Sequence, residues 1–137
     1  MAGCGLPLPP ISPGSAMKRT PLLLLAVLSV IGGRADAADA ARGESLYETR
    51  CTGCHSLDSD RIGPRHRGVY GRRAGSIAQF DYSAAVKKSK IAWDDKSLDR
   101  WLADPEKLIP GQRMGYRVDN AADRADLIAF LRRESDK

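Results

Sequence analysis

Histidine and cysteine are both scarce in this 137-residue chain, with two of the first and three of the second. Three cysteines, with Cys51 and Cys54 as close neighbours, cannot supply the framework of a disulfide-stapled miniprotein. No convincing strand alternation is present, and no repeat of about 20–50 residues, which excludes solenoids and propellers. The apolar run Leu22 to Ile31 falls far short of the ~20 residues that a membrane-spanning helix needs. The charge excess is also small, 22 Lys plus Arg against 17 Asp plus Glu, a net of +5. That excess suits nucleic acid, an anionic membrane or an acidic protein and selects none of them. At 42% hydrophobic and 28% charged residues the chain is not disordered as a whole. Its length allows one domain.

Lys18-Arg19, the apolar run and the small residues after Gly32-Gly33 are the three parts of a secretory signal. Ala35-Asp36-Ala37 and Ala38-Asp39-Ala40 both fit the A-x-A cleavage rule. Residues 1–37 therefore read as an export signal, cleaved after Ala37 or Ala40, with no transmembrane anchor left behind. An uncleaved anchor is the alternative, and the short apolar core and doubled cleavage site weigh against it. Met17 ahead of Lys18-Arg19 opens such a signal by itself, so Met17 is the expected start, and the Pro/Gly-rich stretch before it, with Cys4, drops out. Cleavage after Ala37 leaves 19 basic and 16 acidic side chains, a net of +3. The remaining domain, 38–137, is small for building a core of its own. Something is expected to supplement it.

Cys51-Thr52-Gly53-Cys54-His55 carries the chemistry. A C-x-x-C pair also serves thioredoxin-type exchange, but that use wants a βαβ setting and the flanks here read as helical. Zinc needs two further ligands, and the mature chain offers one more histidine, His66, and no further cysteine. C-x-x-C-H is the attachment motif of c-type haem. Thiols three residues apart on a helix share one face, so both reach the vinyl groups of one porphyrin edge. His55 then presents its imidazole to the iron as proximal ligand. One methionine follows the motif, Met114, just after the Pro110-Gly111 turn. It is the candidate for the sixth ligand, with His66 as the alternative. A His/Met pair favours electron transfer and a raised potential.

With these residues, the sequence resembles class I cytochrome c, both the mitochondrial protein and its small soluble bacterial relatives. Four blocks from about Gly43 to Arg133 carry the resemblance: CTGCH, RIGPRHRGVYGRRAGS, FDYSAAVKKSKIAW, and LADPEKLIPGQRMGY with RADLIAFL behind it. The resemblance implies an all-α fold of short helices and loops wrapped around one covalently bound haem c. It implies that Pro64 offers its carbonyl to His55, and that Arg72, Tyr82 and Trp93 hold a haem propionate. It sets Tyr116 at the haem edge, and Gly43 and Tyr47 where the first helix crosses the last, against Leu127 and Phe130. Three positions depart from it. His66 replaces an apolar Leu of the haem pocket, Val86 a polar Asn, and Trp101 a Tyr.

The helical reading is local. Gly43, Tyr47, Cys51 and Cys54 step along one face of a first helix that ends at the motif. Asp94 or Asp95 caps a second through Leu98, Trp101 and Leu102, stopped at Pro105. Asn120 caps the last, with Leu127, Phe130 and Leu131 on its apolar stripe, and 61–75 reads as loop. The functional expectation is a monomeric, bacterial periplasmic single-electron carrier and not an enzyme. Its partners would be a cytochrome bc-type donor, an oxidase or reaction-centre acceptor, or a dehydrogenase. The rival is a permanently bound haem subunit of a dehydrogenase or oxidase. Nucleic acid is excluded by export and by the lack of a binding motif. Arg65, Arg67, Arg73, Lys87, Lys88, Lys90, Lys107, Arg113 and Arg117 are expected to face solvent as a basic rim, with the acids gathered on the first and last helices.

Overall fold

A computed structural model describes residues 37–137. The export signal read over 1–37, with Met17 as its start, lies outside the described residues except for Ala37. Five helices follow, each begun by a side chain that accepts otherwise unpaired backbone N–H groups. Asp39 starts α1 (Ala40–Arg50) and Ser83 starts α2 (Ala84–Lys88). Asp94 and Ser97 close a reciprocal capping box on α3 (Asp95–Ala103). Asp104 ends α3 and caps α4 (Pro105–Leu108), where the proline occupies the first turn. Asn120 caps α5 (Ala121–Arg133) through the N–H groups of Ala122 and Asp123. Among the described residues there is no strand, only an isolated bridge between Arg73 and Ala92. No helix of the described residues is long and apolar enough to cross a membrane.

The central contact is α1 against α5. Gly43 is why it is so close: a Cβ there would lie 2.0 Å from the Asp126 carbonyl oxygen and 2.9 Å from Cβ of Phe130. One turn on, the Tyr47 ring packs on Phe130 with centroids 5.0 Å apart. The Asp126 carboxylate is buried in the same contact, where it accepts from the Asp39 N–H at 2.7 Å and pairs with Arg42. Leu98 and Leu102 of α3 and Leu127 and Leu131 of α5 complete the apolar centre.

The acids of the last helix do not all belong to a solvated face. Asp126 and Glu134 are 3% exposed. Glu134 accepts from Lys137 at 2.6 Å, Arg67 at 2.8 Å and Arg133 at 3.2 Å, while Arg67 also pairs with Asp58. This knot ties the 61–75 loop to the end of α5. The hydrogen bond from Lys137, helped by Arg67 and Arg133, holds the Glu134 carboxyl below the usual glutamate range despite its burial.

Two measurements follow. Gly43→Ala is expected to cost about 3 kcal/mol of unfolding free energy in guanidinium titration, because neither α5 backbone nor α1 can yield the space. A carboxyl with a depressed folded pKa stabilises the fold above its unfolded pKa and loses that contribution as pH falls through the folded value. Glu134→Gln is therefore expected to lose about 1–2 kcal/mol at pH 7, with its half-exposed cationic partners holding the figure low. The two proteins should converge in stability as pH falls through the depressed folded pKa of Glu134.

Candidate cofactor site

At Cys51 the chain leaves α1. The expected helix through Cys54 stops short, and the motif forms tight turns instead: Cys54 N–H and His55 N–H both donate to the Cys51 carbonyl, at 3.1 and 2.8 Å. The carbonyls that a longer helix would use are taken by the following loop. Gly63 N–H donates to the Cys54 carbonyl at 2.9 Å, and the Arg61 guanidinium donates to that of Thr52. The i, i+4 bond from His55 keeps one helical turn's geometry, so the spacing argument survives the shorter helix.

The two thiols stand at one wall of a cavity of about 390 Å³, within the roughly 300–1,000 Å³ of cofactor pockets. They are not joined to each other. Cys54 is exposed, while burial pushes the half-buried Cys51 thiol up to about 11. The His55 ring also lines the cavity, and its Nδ1–H donates to the Pro64 carbonyl at 2.8 Å. That bond leaves Nε2 as the lone-pair nitrogen. Desolvation lowers the His55 pKa, so at neutral pH the ring is uncharged and able to ligate a metal. Gly63 is needed beside it, since a Cβ there would lie 2.1 Å from Cε1 of the imidazole.

Met114 lines the same cavity from the loop after α4. Its N–H donates to the Gln112 side chain, whose Nε2 donates to Glu106 at 3.3 Å. Glu106 also accepts from Gly111 N–H at 2.9 Å. Arg113 in turn donates to Asp81 at 3.1 Å, which joins the methionine loop to the segment ahead of α2.

Arg72, Tyr82 and Trp93 also line the cavity. The first and last are set side by side by backbone bonds, Trp93 N–H to the Arg72 carbonyl at 3.0 Å and Gly71 N–H to the Trp93 carbonyl at 2.7 Å. Arg72 is half-buried and donates to the carbonyls of Arg65 and Arg67 at 2.7 and 3.1 Å. Burial lowers its pKa, Asp60 opposes that shift only from a distance, and Arg72 makes no ion pair among the described residues. Burial likewise raises the Tyr82 phenol. Trp93 is 7% exposed and packs on Trp101 with centroids 5.2 Å apart.

His66 lines the cavity too, but against His55, with the rings stacked 4.0 Å apart at 21°. Desolvation drives its pKa well below the usual histidine value. Among the described residues no group of three or more His, Cys, Asp or Glu side chains is arranged to hold a metal.

Residues 40–134 match the family model described as cytochrome c. The chain belongs to the cytochrome c family. Cytochrome c of Arabidopsis thaliana is 41% identical over 101 residues, covering 71% of this chain and 90% of its own. Cytochrome c 2.1 of Caenorhabditis elegans is 40% identical over 104 residues, covering 74% and 94%. The solved structure of cytochrome cH from Methylobacterium extorquens superposes with a TM-score of 0.66 at 37% identity, covering 69% of this chain and 98% of that one. The cytochrome accordingly carries one covalently attached haem c, with Cys51 and Cys54 in its C-x-x-C-H segment, and is a monohaem electron carrier. The residues present fit that group. Two separate thiols, a neutral imidazole and a thioether share one largely apolar cavity, and Arg72 brings a half-buried charge that an anionic propionate would meet.

The basic rim needs correcting. Arg65 pairs with Asp60, Arg67 with Asp58 and Glu134, Lys87 and Arg113 with Asp81, and Arg117 with Asp104. Arg73, Lys88, Lys90 and Lys107 are exposed and make no ion pair among the described residues. Each pairing acid lies in a loop or at a helix cap. What sequence reading missed outright are α2 and α4, both too short for a hydrophobic period. Their caps, Ser83 and Asp104-Pro105, were the available signals.

Proposed function

We propose that this cytochrome is an exported, monomeric periplasmic shuttle that moves single electrons between membrane redox complexes. The donor would be a cytochrome bc-type complex or a dehydrogenase, and the acceptor an oxidase or a photosynthetic reaction centre. The observation that carries the reading is the convergence of Cys51, Cys54, His55 and Met114 on one apolar cavity. In this reading Cys51 and Cys54 would hold the haem by thioethers, and His55 and Met114 would ligate its iron. The bound haem supplies a one-electron Fe(III)/Fe(II) couple, with no bond to substrate made or broken. Pro64 orients His55 by accepting from Nδ1. Arg72, Tyr82 and Trp93 take a propionate, which meets the unpaired guanidinium with an opposite charge. The apolar walls exclude water, so little reorganisation accompanies electron transfer. No residue is asked to act as acid, base or nucleophile. Export rests on the signal read from Lys18 to Ala40.

The bound-subunit reading calls for a broad exposed apolar face. Among the described residues the large exposed hydrophobics are Ile62 and Tyr116, both at the cavity. Two residues are too few for a permanent interface of ordinary size. The free cations Arg73, Lys88, Lys90 and Lys107 instead suit a transient, electrostatically guided encounter with an acidic docking face.

Acid–acetone extraction is expected to leave the haem on the chain, with retention weakened or lost in Cys51→Ser and Cys54→Ser. The oxidised protein is expected to show a methionine-to-iron absorption band that Met114→Ala removes and His66→Leu retains. Haem released quantitatively from the wild type, or a band that follows His66, would overturn the ligand assignment. The second-order electron-transfer rate with the isolated acceptor complex is expected to fall as the Debye length shrinks from ~30 Å to ~8 Å between about 0.01 and 0.15 M salt. Lys107→Glu should slow the low-salt rate several-fold. A rate flat across that range means apolar docking and favours the bound subunit.

A further inference from the structure

Among the described residues two buried side-chain polar atoms have no hydrogen-bond partner, the Tyr47 hydroxyl and Nδ1 of His66. A buried polar group left unpaired costs about 1–3 kcal/mol, so each demands an explanation. The two belong to touching rings. Tyr47 meets His66 edge to face with centroids 5.6 Å apart, and the His66 ring stacks on His55. Both atoms are closed to solvent, and Phe130 shuts in the tyrosine from another side. The sequence put both polar groups here together: His66 stands where the family's pattern has an apolar Leu.

We infer that in the haem-loaded protein the Tyr47 hydroxyl donates to Nδ1 of His66, and that His66, so held, is a positioning residue that fixes the plane of the His55 imidazole and lowers the reduction potential of the iron. The inference rests on His55 being the proximal ligand. An imidazole nitrogen is a better acceptor than a phenol oxygen, so the hydroxyl is the donor, and His66 is the neutral tautomer with its proton on Nε2. Its ring then has a single orientation. Pro64 holds His55 by one nitrogen, and the stacked His66 ring holds it by a face. On oxidation the iron gains a unit positive charge, part of which spreads onto the ligated ring. The electron-rich face of His66 stabilises that charge as an aromatic face stabilises a cation. An aliphatic side chain in its place would offer dispersion alone, so the oxidised state gains from the histidine and the potential drops.

The test compares four haem-loaded proteins at one pH: wild type, Tyr47→Phe, His66→Leu and the double variant. The readouts are the equilibrium with a one-electron mediator and the pattern of hyperfine-shifted haem methyl resonances in the oxidised state, which follows the axial ligand plane. His66→Leu is expected to move the equilibrium about three- to tenfold toward reduced protein, tenfold being 59 mV for one electron. It should also alter the methyl pattern. Tyr47→Phe is expected to move the equilibrium the same way by a smaller factor, and the double variant no further than His66→Leu. An unchanged potential and methyl pattern in His66→Leu overturns the role of His66. Additive shifts in the double variant overturn its coupling to Tyr47. Where His66→Leu does not load haem, His66→Gln keeps a hydrogen-bonding side chain without the aromatic face and is expected to raise the potential. A wild-type potential in that variant overturns the inference. Ligation is read separately, by Met114 from the wild-type methionine band and by His55 from loss of the low-spin haem spectrum in His55→Ala, so failure of the ligand assignment is distinguishable from failure here.

Discussion

Backbone lies against backbone where α1 crosses α5 at Gly43, and the placing of the C-x-x-C-H groups at the cavity follows from that contact. It sets the line along which α1 runs and hence where the helix delivers Cys51, Cys54 and His55. It also brings Asp126 under the start of α1, where the carboxylate caps the Asp39 N–H and meets Arg42. Tyr47, one turn after Gly43, is then bound to face inward, between Phe130 and His66. A side chain as small as a methyl at position 43 would shift this whole series outward together.

A domain this size cannot enclose much apolar surface by protein packing alone. Leu98, Leu102, Leu127 and Leu131 line the cavity, so an apolar disc placed there completes the centre from inside. The polar work is assigned to the periphery. Glu134 gathers Arg67, Arg133 and Lys137, and Asp81 gathers Lys87 and Arg113, so the loops on either side of the cavity are tied down from outside. Of the charged residues that line the cavity, Arg50, Asp81 and Arg113 are ion-paired and Arg72 is not.

What was legible in the sequence is what local chemistry decides. The C-x-x-C-H motif, the caps at Asp94 and Asn120, the break at Pro105 and the lone Met114 each depend on residues within a few positions, and the family blocks located the rest of the cavity wall. The end of α1 was misjudged because the loop at Gly63 competes for the carbonyls of the motif, a contact that periodicity does not contain. The burial of Asp126 and Glu134 is not legible because Asp39 and Arg42 stand 87 and 84 positions from the first, and Arg67 stands 67 from the second. The basic rim was overcounted for the same reason: charge is visible in a sequence, and pairing is not. His66 was seen as a departure, yet its stacking on His55 emerges only when the 61–75 loop folds back over the motif.

The long reach of the α1–α5 contact has a bearing on the order of events during biogenesis. Its polar bonds join residues 73 to 89 positions apart. A chain emerging from its amino end therefore has α1 and the C-x-x-C-H turns long before it has α5 to lay across them. Until then α1 lacks the helix it packs against. α5 is the latch that closes over α1, and access to Cys51 and Cys54 before it closes differs from access after.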